Sequence, residues 1–235
     1  MQLFFDAHLQ QLHQHITLET NTSKHLVQVL RMRVGQQIAL TNGKGIAAVA
    51  EIVDADKRDC VVRVVECTTI PERPYKLVMA VCFTKNKARN EWMLEKMTEL
   101  GVEVIIPVMA QRTEKEKFNF ERLNTILESA MLQSKQYYLP TLCEPMTINE
   151  VIKYEITQKY IAHCEAEADK QPLLSTLVKA EDTMILIGPE GDFTTDEISK
   201  LLEHNVKAIS LGANRLRTET AAMYACTIFN ALNYV

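Results

Sequence analysis

Two short runs gather the groups in this chain best suited to hold a ligand: Gly188-Pro189-Glu190-Gly191-Asp192 and Gly212-Ala213-Asn214-Arg215-Leu216-Arg217-Thr218-Glu219-Thr220-Ala221. Glycine carries no Cβ, so a ligand can approach the backbone N–H groups closely. Carboxylates at Glu190 and Glu219 suit a cationic or zwitterionic ligand and would repel a bare phosphate. The same side chains also have a purely structural use. Glu219 suits the first turn of a helix, where the macrodipole favours a carboxylate, and Arg217 suits an ion pair. Other chemistries lack their signatures: there is no G-x-G-x-x-G after a first strand, no G-x-x-x-x-G-K-[ST] and no G-x-S-x-G. The six cysteines are scattered without a C-x-x-C pair. They are expected to be reduced and buried. His13 and His15, the only close histidine pair, read as alternation on a strand, so no metal is expected.

Each glycine run follows an apolar stretch, Met184 to Ile187 and Ala208 to Leu211, and precedes a helical pattern. The design is strand, tight loop, helix start. Thr194 and Glu197 form a capping box ahead of Ile198, Leu201 and Leu202, and the second helix begins near Thr218. Loops at the carboxyl ends of strands are where an α/β sheet places a small ligand, so the two runs are read as one site. Upstream, strands at Leu77 to Phe83, Val102 to Val108 and Tyr160 to His163 alternate with helices at Arg89 to Leu100 and Asn119 to Gln133. Alternation implies a mostly parallel sheet with helices on both faces. Prolines 140 and 145 mark a long connection, and Ile70 to Pro74 reads as a linker. Before it lie short strands at Leu3 to Phe5, Ile16 to Leu18, Gln37 to Leu40, Ile46 to Val53 and Cys60 to Val65, with a turn at Asn42-Gly43. A helix between Asn21 and Met32 should place Leu26, Val29 and Leu30 inward and Lys24, Gln28 and Arg31 outward.

With 235 residues, 47% apolar and 24% charged, the chain can bury one large core or two smaller ones. No apolar run approaches a bilayer span, and Asp6 interrupts what a signal peptide would need, so a soluble cytoplasmic protein is expected. Net charge is −4, yet the distribution is uneven. Thr20 to Ala50 holds Lys24, Arg31, Arg33 and Lys44 without an acid, and Lys76 to Asn90 holds Lys76, Lys85, Lys87 and Arg89 without one. Two basic patches on an acidic protein lean toward a polyanionic partner, although either alone also fits an ordinary solvated face.

The phrase Leu186-Ile187-Gly188-Pro189-Glu190-Gly191, with Leu211-Gly212 and Leu216-Arg217-Thr218-Glu219-Thr220-Ala221, closely resembles the ribosomal RNA small subunit methyltransferase E family of knotted SPOUT methyltransferases. His25 through Val29-Leu30-Arg31 to Gly35, and Lys85, Lys96 and Glu99-Leu100-Gly101-Val102, resemble its N-terminal and central motifs. The resemblance implies a PUA-like RNA-binding β-barrel over residues 1–72 and a trefoil-knotted α/β domain with a parallel sheet over 73–235. It also implies a homodimer and S-adenosylmethionine held by Leu186, Ile187, Gly188, Pro189, Glu190, Gly191, Leu211, Gly212, Leu216, Arg217, Thr220 and Ala221. The methyl group would pass to N3 of a uridine in small-subunit (16S) ribosomal RNA, within an assembled or assembling particle. Leu186, Ile187, Leu211 and Leu216 would wall the adenine. Arg217 would stabilise the anion left when N3 loses its proton, and Glu190 or Glu219, if desolvated, or else solvent would accept that proton. RNA contacts would fall to Lys24, His25, Arg31, Lys85, Lys87, Arg89 and Lys135. The chain departs from the family pattern at Gln2, where an arginine is usual, at Asp192 for Gly, at Arg215 for Ile, and at Lys135-Gln136 for Gly-Arg. Rival readings are methylation of another RNA atom, such as a ribose hydroxyl, and a non-catalytic RNA-binding assembly factor.

Overall fold

The computed structural model describes residues 1–113, 118–165 and 170–233. It divides into two compact units, one formed by Met1–Glu72 with Met131–Leu139 and the other by Arg73–Ala130 with the chain from Pro140 on.

The first unit is built on β1 (Leu3–Phe5), β2 (His15–Thr17), β3 (Gln37–Thr41), β4 (Ile46–Asp54) and β5 (Val61–Thr69), in the spatial order β1-β3-β4-β5-β2. The β1–β3 pair is parallel and the rest are antiparallel. Alternation decides which side chains face inward: Ala48, Ala50 and Ile52 of β4 and Val62 and Val64 of β5 join Leu26, Ile38 and Leu40 in one core. The Asn42-Gly43 turn forms where expected, with Gly43 and Gly45 at φ 67° and 88°. Gly45 donates to the Tyr137 carbonyl at 2.8 Å, and Leu139 donates to the Gly43 carbonyl at 2.8 Å. A Cβ on Gly45 would collide with the Tyr138 hydroxyl, so this turn seats Tyr137, Tyr138 and Leu139 because Gly45 carries no side chain. His15 opens β2, but His13 precedes the strand in a left-handed conformation at φ 62°.

The expected helix over 21–32 is replaced by two shorter pieces. α1 (Thr20–Lys24) passes straight into a π-helical turn at His25–Val29, with Leu30 N–H donating to the His25 carbonyl at 2.9 Å. Arg31 then leaves the helix in the left-handed region at φ 55°. A π turn takes more residues than an α turn, so side chains drift off the α-helical stripe. Leu26 is fully buried, whereas Val29 is 66% and Leu30 39% exposed. Arg31 therefore shares no helical face with Lys24 and Gln28.

The second unit contains β6 (Leu77–Val81), α2 (Lys87–Glu99), β7 (Val104–Met109), α3 (Phe120–Gln133), β8 (Thr141–Leu142), β9 (Met146–Thr147), α4 (Ile148–Lys153), β10 (Gln158–Ala162), β11 (Gln171–Pro172), α5 (Leu173–Thr176), β12 (Thr183–Ile187), α6 (Thr195–Glu203), β13 (Lys207–Ser210) and α7 (Thr218–Asn233); the end of α3 belongs to the first unit. The sheet order is β11-β13-β10-β12-β6-β7-β8, with β9 also on β7, and every pair is parallel. β6 and β12 are buried at every position, as strands covered on both faces must be. The capping box of α6 forms as read, with Thr194 N–H donating to Glu197 Oε2 at 2.9 Å. β8, β9 and α4 fall in the stretch read only as a long connection, and β11 and α5 fall where no element was expected. α4 carried a legible signal, the Thr147/Glu150 capping box. Among the described residues no helix is long and apolar enough to cross a membrane.

Candidate functional site

β10 lies between β12 and β13 and pairs in parallel with both, Ala162 standing level with Ile187 on one side and Ile209 on the other. The three carboxyl ends therefore meet at one edge of the sheet. Around them opens a cavity of about 630 Å³, within the range of small-molecule sites. The first glycine loop contributes Ile187, Gly188, Pro189 and Glu190, and the second contributes Leu211, Gly212, Leu216, Arg217 and Ala221. Three expected residues stand elsewhere. Leu186 is fully buried in the core under the sheet, because consecutive strand residues face opposite sides. Gly191 is engaged through its carbonyl, which accepts from Arg112 Nη1 at 2.7 Å. Thr220 is on the exposed face of α7.

The cavity also takes Ala162, His163 and Cys164 from the end of β10, Lys170, and Arg89 from α2. Nothing in the local sequence signals the β10 loop, since its role follows from the strand order alone. Cys164 is exposed, and Cys67 and Cys143 are half-buried, which corrects the expectation that all six thiols are interior. Cys60, Cys82 and Cys226 are buried. Burial pushes the Cys82 thiol up to about 12 and raises that of Cys226 as well, so neither supplies a thiolate.

Specific hydrogen bonds hold the loops together. The buried Thr218 hydroxyl donates to the Gly188 carbonyl at 2.9 Å, joining the second loop to the first; such a bond is worth about 1 kcal/mol net, and leaving the acceptor orphaned would cost more. Arg215 Nη2 adds a second tie to the Glu190 carbonyl at 3.3 Å. Asp192 is left-handed at φ 62°, a conformation glycine adopts freely and aspartate tolerates when its side chain is hydrogen-bonded locally. Its Oδ1 accepts from Phe193 N–H at 2.8 Å and its Oδ2 from Cys164 N–H at 2.6 Å. The carboxylate that stands where the resembled pattern has glycine thus ties the β10 loop to the first glycine loop. A Cβ on Gly188 would lie 3.1 Å from the Phe193 ring, so close packing demands glycine there. Gly212 differs: at φ 117° a side chain would be strained, and a Cβ would point into open space.

The charges are asymmetric. Arg89 sits in the first turn of α2, where a cation opposes the helix dipole, and is compensated by two carboxylates. Its Nη1 donates to Glu190 Oε1 at 3.2 Å, and its Nε lies 3.7 Å from Glu219 Oε1. The Glu190 side chain is 59% exposed and the Glu219 side chain 13%. Glu219 does not line the cavity, and its Oε2 is buried with no hydrogen-bond partner among the described residues. Arg217 lines the cavity and is exposed, and its guanidinium has no partner among the described residues.

The residues expected to meet RNA divide between the units. Lys24, His25, Arg31 and Lys135 belong to the first, and Lys85, Lys87 and Arg89 to the second. Lys24, Arg31, Lys85, Lys87 and Lys135 are exposed. His25 is half-buried, edge-on to Phe4 and 3.4 Å from the Gln2 amide. Lys135 has φ 56° at the position where the resembled pattern has glycine.

Fold and loops together define an α/β methyltransferase domain of the kind that acts on RNA. Residues 71–230 match the family described as the RNA methyltransferase domain, and residues 18–65 match the RNA methyltransferase PUA domain. The ribosomal RNA small subunit methyltransferase E of Rickettsia conorii is 33% identical over 216 residues, covering 89% of this chain and 87% of its own. This chain belongs to the ribosomal RNA small subunit methyltransferase E family. Among solved structures, one described as a probable rRNA methyltransferase from Porphyromonas gingivalis is 32% identical with a TM-score of 0.91, covering 100% of this chain and 99% of its own. The ribosomal RNA small subunit methyltransferase E of Neisseria gonorrhoeae, bound to S-adenosylmethionine, is 27% identical with a TM-score of 0.88, covering 99% and 98%.

Proposed function

We propose that this chain transfers the methyl group of S-adenosylmethionine to N3 of a uridine in small-subunit ribosomal RNA, acting in the cytoplasm as a homodimer whose second unit is knotted around the site. The observation that carries the reading is the cavity of about 630 Å³ between two glycine loops clamped by the Thr218 to Gly188 bond. Its residues fit such a ligand. Ile187, Leu211, Leu216 and Ala221 offer apolar walls, Gly212 leaves open the space a Cβ would fill, and Glu190 offers a carboxylate to a cationic group.

Bound S-adenosylmethionine supplies a sulfonium methyl, an electrophile that is already activated, so the protein's tasks are alignment and tuning of the nucleophile. Arg217, exposed at the cavity, stabilises the negative charge that builds on the uracil carbonyl oxygens as N3 loses its proton. Glu190, 59% exposed and paired with Arg89, is not desolvated as a base must be, so solvent at the rim takes up that proton. Glu219, away from the cavity wall and against Arg89, is a positioning residue that holds Arg89 across the two loops. For the dimer, α2 and α7 pack together and keep Trp92 and Tyr224 exposed, at 45% and 47%; large aromatic surface of this kind favours burial against a second copy.

Mass-spectrometric mapping of modified nucleosides in ribosomal RNA from a deletion strain tests this. Loss of 3-methyluridine, restored by the wild-type chain and not by Arg217→Ala, is the expected result. An unchanged nucleoside profile would point to an assembly factor, and loss of a methyl from a ribose hydroxyl would move the reaction to another atom.

A further inference from the structure

The π-helical turn and the loop behind it display an apolar patch that the core does not use. Val29 and Val34 are exposed and Leu30 partly so, whereas Leu26, Val27 and Met32 around them pack in or against the core. Single exposed aliphatic residues are ordinary, but three within one tight segment form a patch. The segment is rigidly mounted. Met32 N–H donates to the Leu26 carbonyl at 3.0 Å, Gly35 N–H to the Ile52 carbonyl at 2.8 Å, and Ile52 N–H to the Gln36 carbonyl at 2.9 Å. Arg33 N–H is held by Gln36 Oε1 at 2.8 Å. A pre-ordered surface loses little freedom when it binds.

Charge identifies the partner. Lys24, Arg31 and Arg33 flank the patch, no acid occurs from Thr20 to Ala50, and none of the three has an ion-pair partner among the described residues. The patch lies inside the residues that match an RNA methyltransferase PUA domain. We infer that Val29, Leu30 and Val34 form a platform for an unstacked base of single-stranded RNA, with Lys24, Arg31 and Arg33 taking the flanking phosphates. A duplex is disfavoured because its base faces are stacked away and its accessible groove offers edges and hydroxyls, whereas splayed single strands present faces to apolar side chains and guanidinium planes. This inference rests on the reading of ribosomal RNA as substrate and adds the strandedness and the apolar contact.

The test uses the full chain, a labelled single-stranded oligouridylate and a duplex RNA of the same length, with fluorescence anisotropy across a potassium chloride series. Val29→Ser combined with Val34→Ser should weaken single-strand binding about tenfold at every salt concentration and leave the salt slope unchanged, because apolar burial releases no counterions. Duplex affinity and S-adenosylmethionine affinity should stay at the wild-type level, the latter reporting an intact fold. The milder pair Val29→Ala with Val34→Ala, carried alongside, should lose about threefold and keeps the test decisive if the serine pair is poorly folded. Unchanged single-strand affinity would overturn the inference. So would an equal loss for both forms of RNA. Failure of the wild-type chain to bind the single strand would overturn it too, whereas the ribosomal RNA reading stands or falls on the nucleoside map of the deletion strain, so the two failures are distinct.

Discussion

The cavity of the second unit and the basic segment of the first handle charge in opposite ways. At the cavity, Arg89 meets Glu190 and Glu219, Asp192 is fixed by two backbone N–H groups, and the Arg217 guanidinium has no partner among the described residues. In the first unit, Lys24, Arg31 and Arg33 have no carboxylates beside them in sequence and stand next to exposed valines. The first arrangement suits a small ligand that carries both signs of charge, with one cation left for the reacting group. The second suits a long polyanion, whose phosphates bring their own negative charge and whose bases bring apolar surface. Positions in the cavity should therefore respond to substitution sharply and with little salt dependence, and the cations of the basic segment gradually and with much.

The largest effect is expected at Gly212. Gly212→Val places a β-branched side chain at φ 117° and fills the open space at the cavity, so calorimetry should detect no S-adenosylmethionine binding by a folded variant, a loss of at least about a hundredfold. Unchanged affinity would remove the second loop from the ligand site. Next is Arg217→Ala, expected to lower turnover by about two to three powers of ten with cofactor affinity nearly unchanged, the size of one lost electrostatic stabiliser. Single-turnover kinetics beside equilibrium binding separates the two effects, and a loss confined to affinity would make Arg217 a binding residue. Smallest is the double substitution Lys24→Ala with Arg31→Ala. It should weaken RNA binding and flatten the salt slope by up to about two units, about one for each lost phosphate contact, while S-adenosylmethionine affinity stays constant. An intact slope would erase the contrast between the two regions and leave Lys85 and Lys87 as the cations to examine.

The sequence by itself determined the parts that depend on local chemistry. Strand runs such as Met184 to Ile187, the capping box at Thr194 and Glu197, and the Asn42-Gly43 turn each follow from side-chain and backbone preferences within a few residues, and each forms as read. The two glycine loops were legible for the same reason. Tertiary structure decided the rest. Only the placement of β10 between β12 and β13 brings His163 and Cys164 to the cavity, because strand order joins residues that no local pattern relates. Only the meeting of the α2 start with the α7 start and the first glycine loop could give Arg89 to Glu219 and Glu190 rather than leave it free for RNA. The π-helical turn at His25–Val29 shows the limit most plainly. An amphipathic stripe assumes α-helical spacing, and when the turn widens, the same residues reach different surroundings: Leu26 enters the core, and Val29 and Leu30 face water.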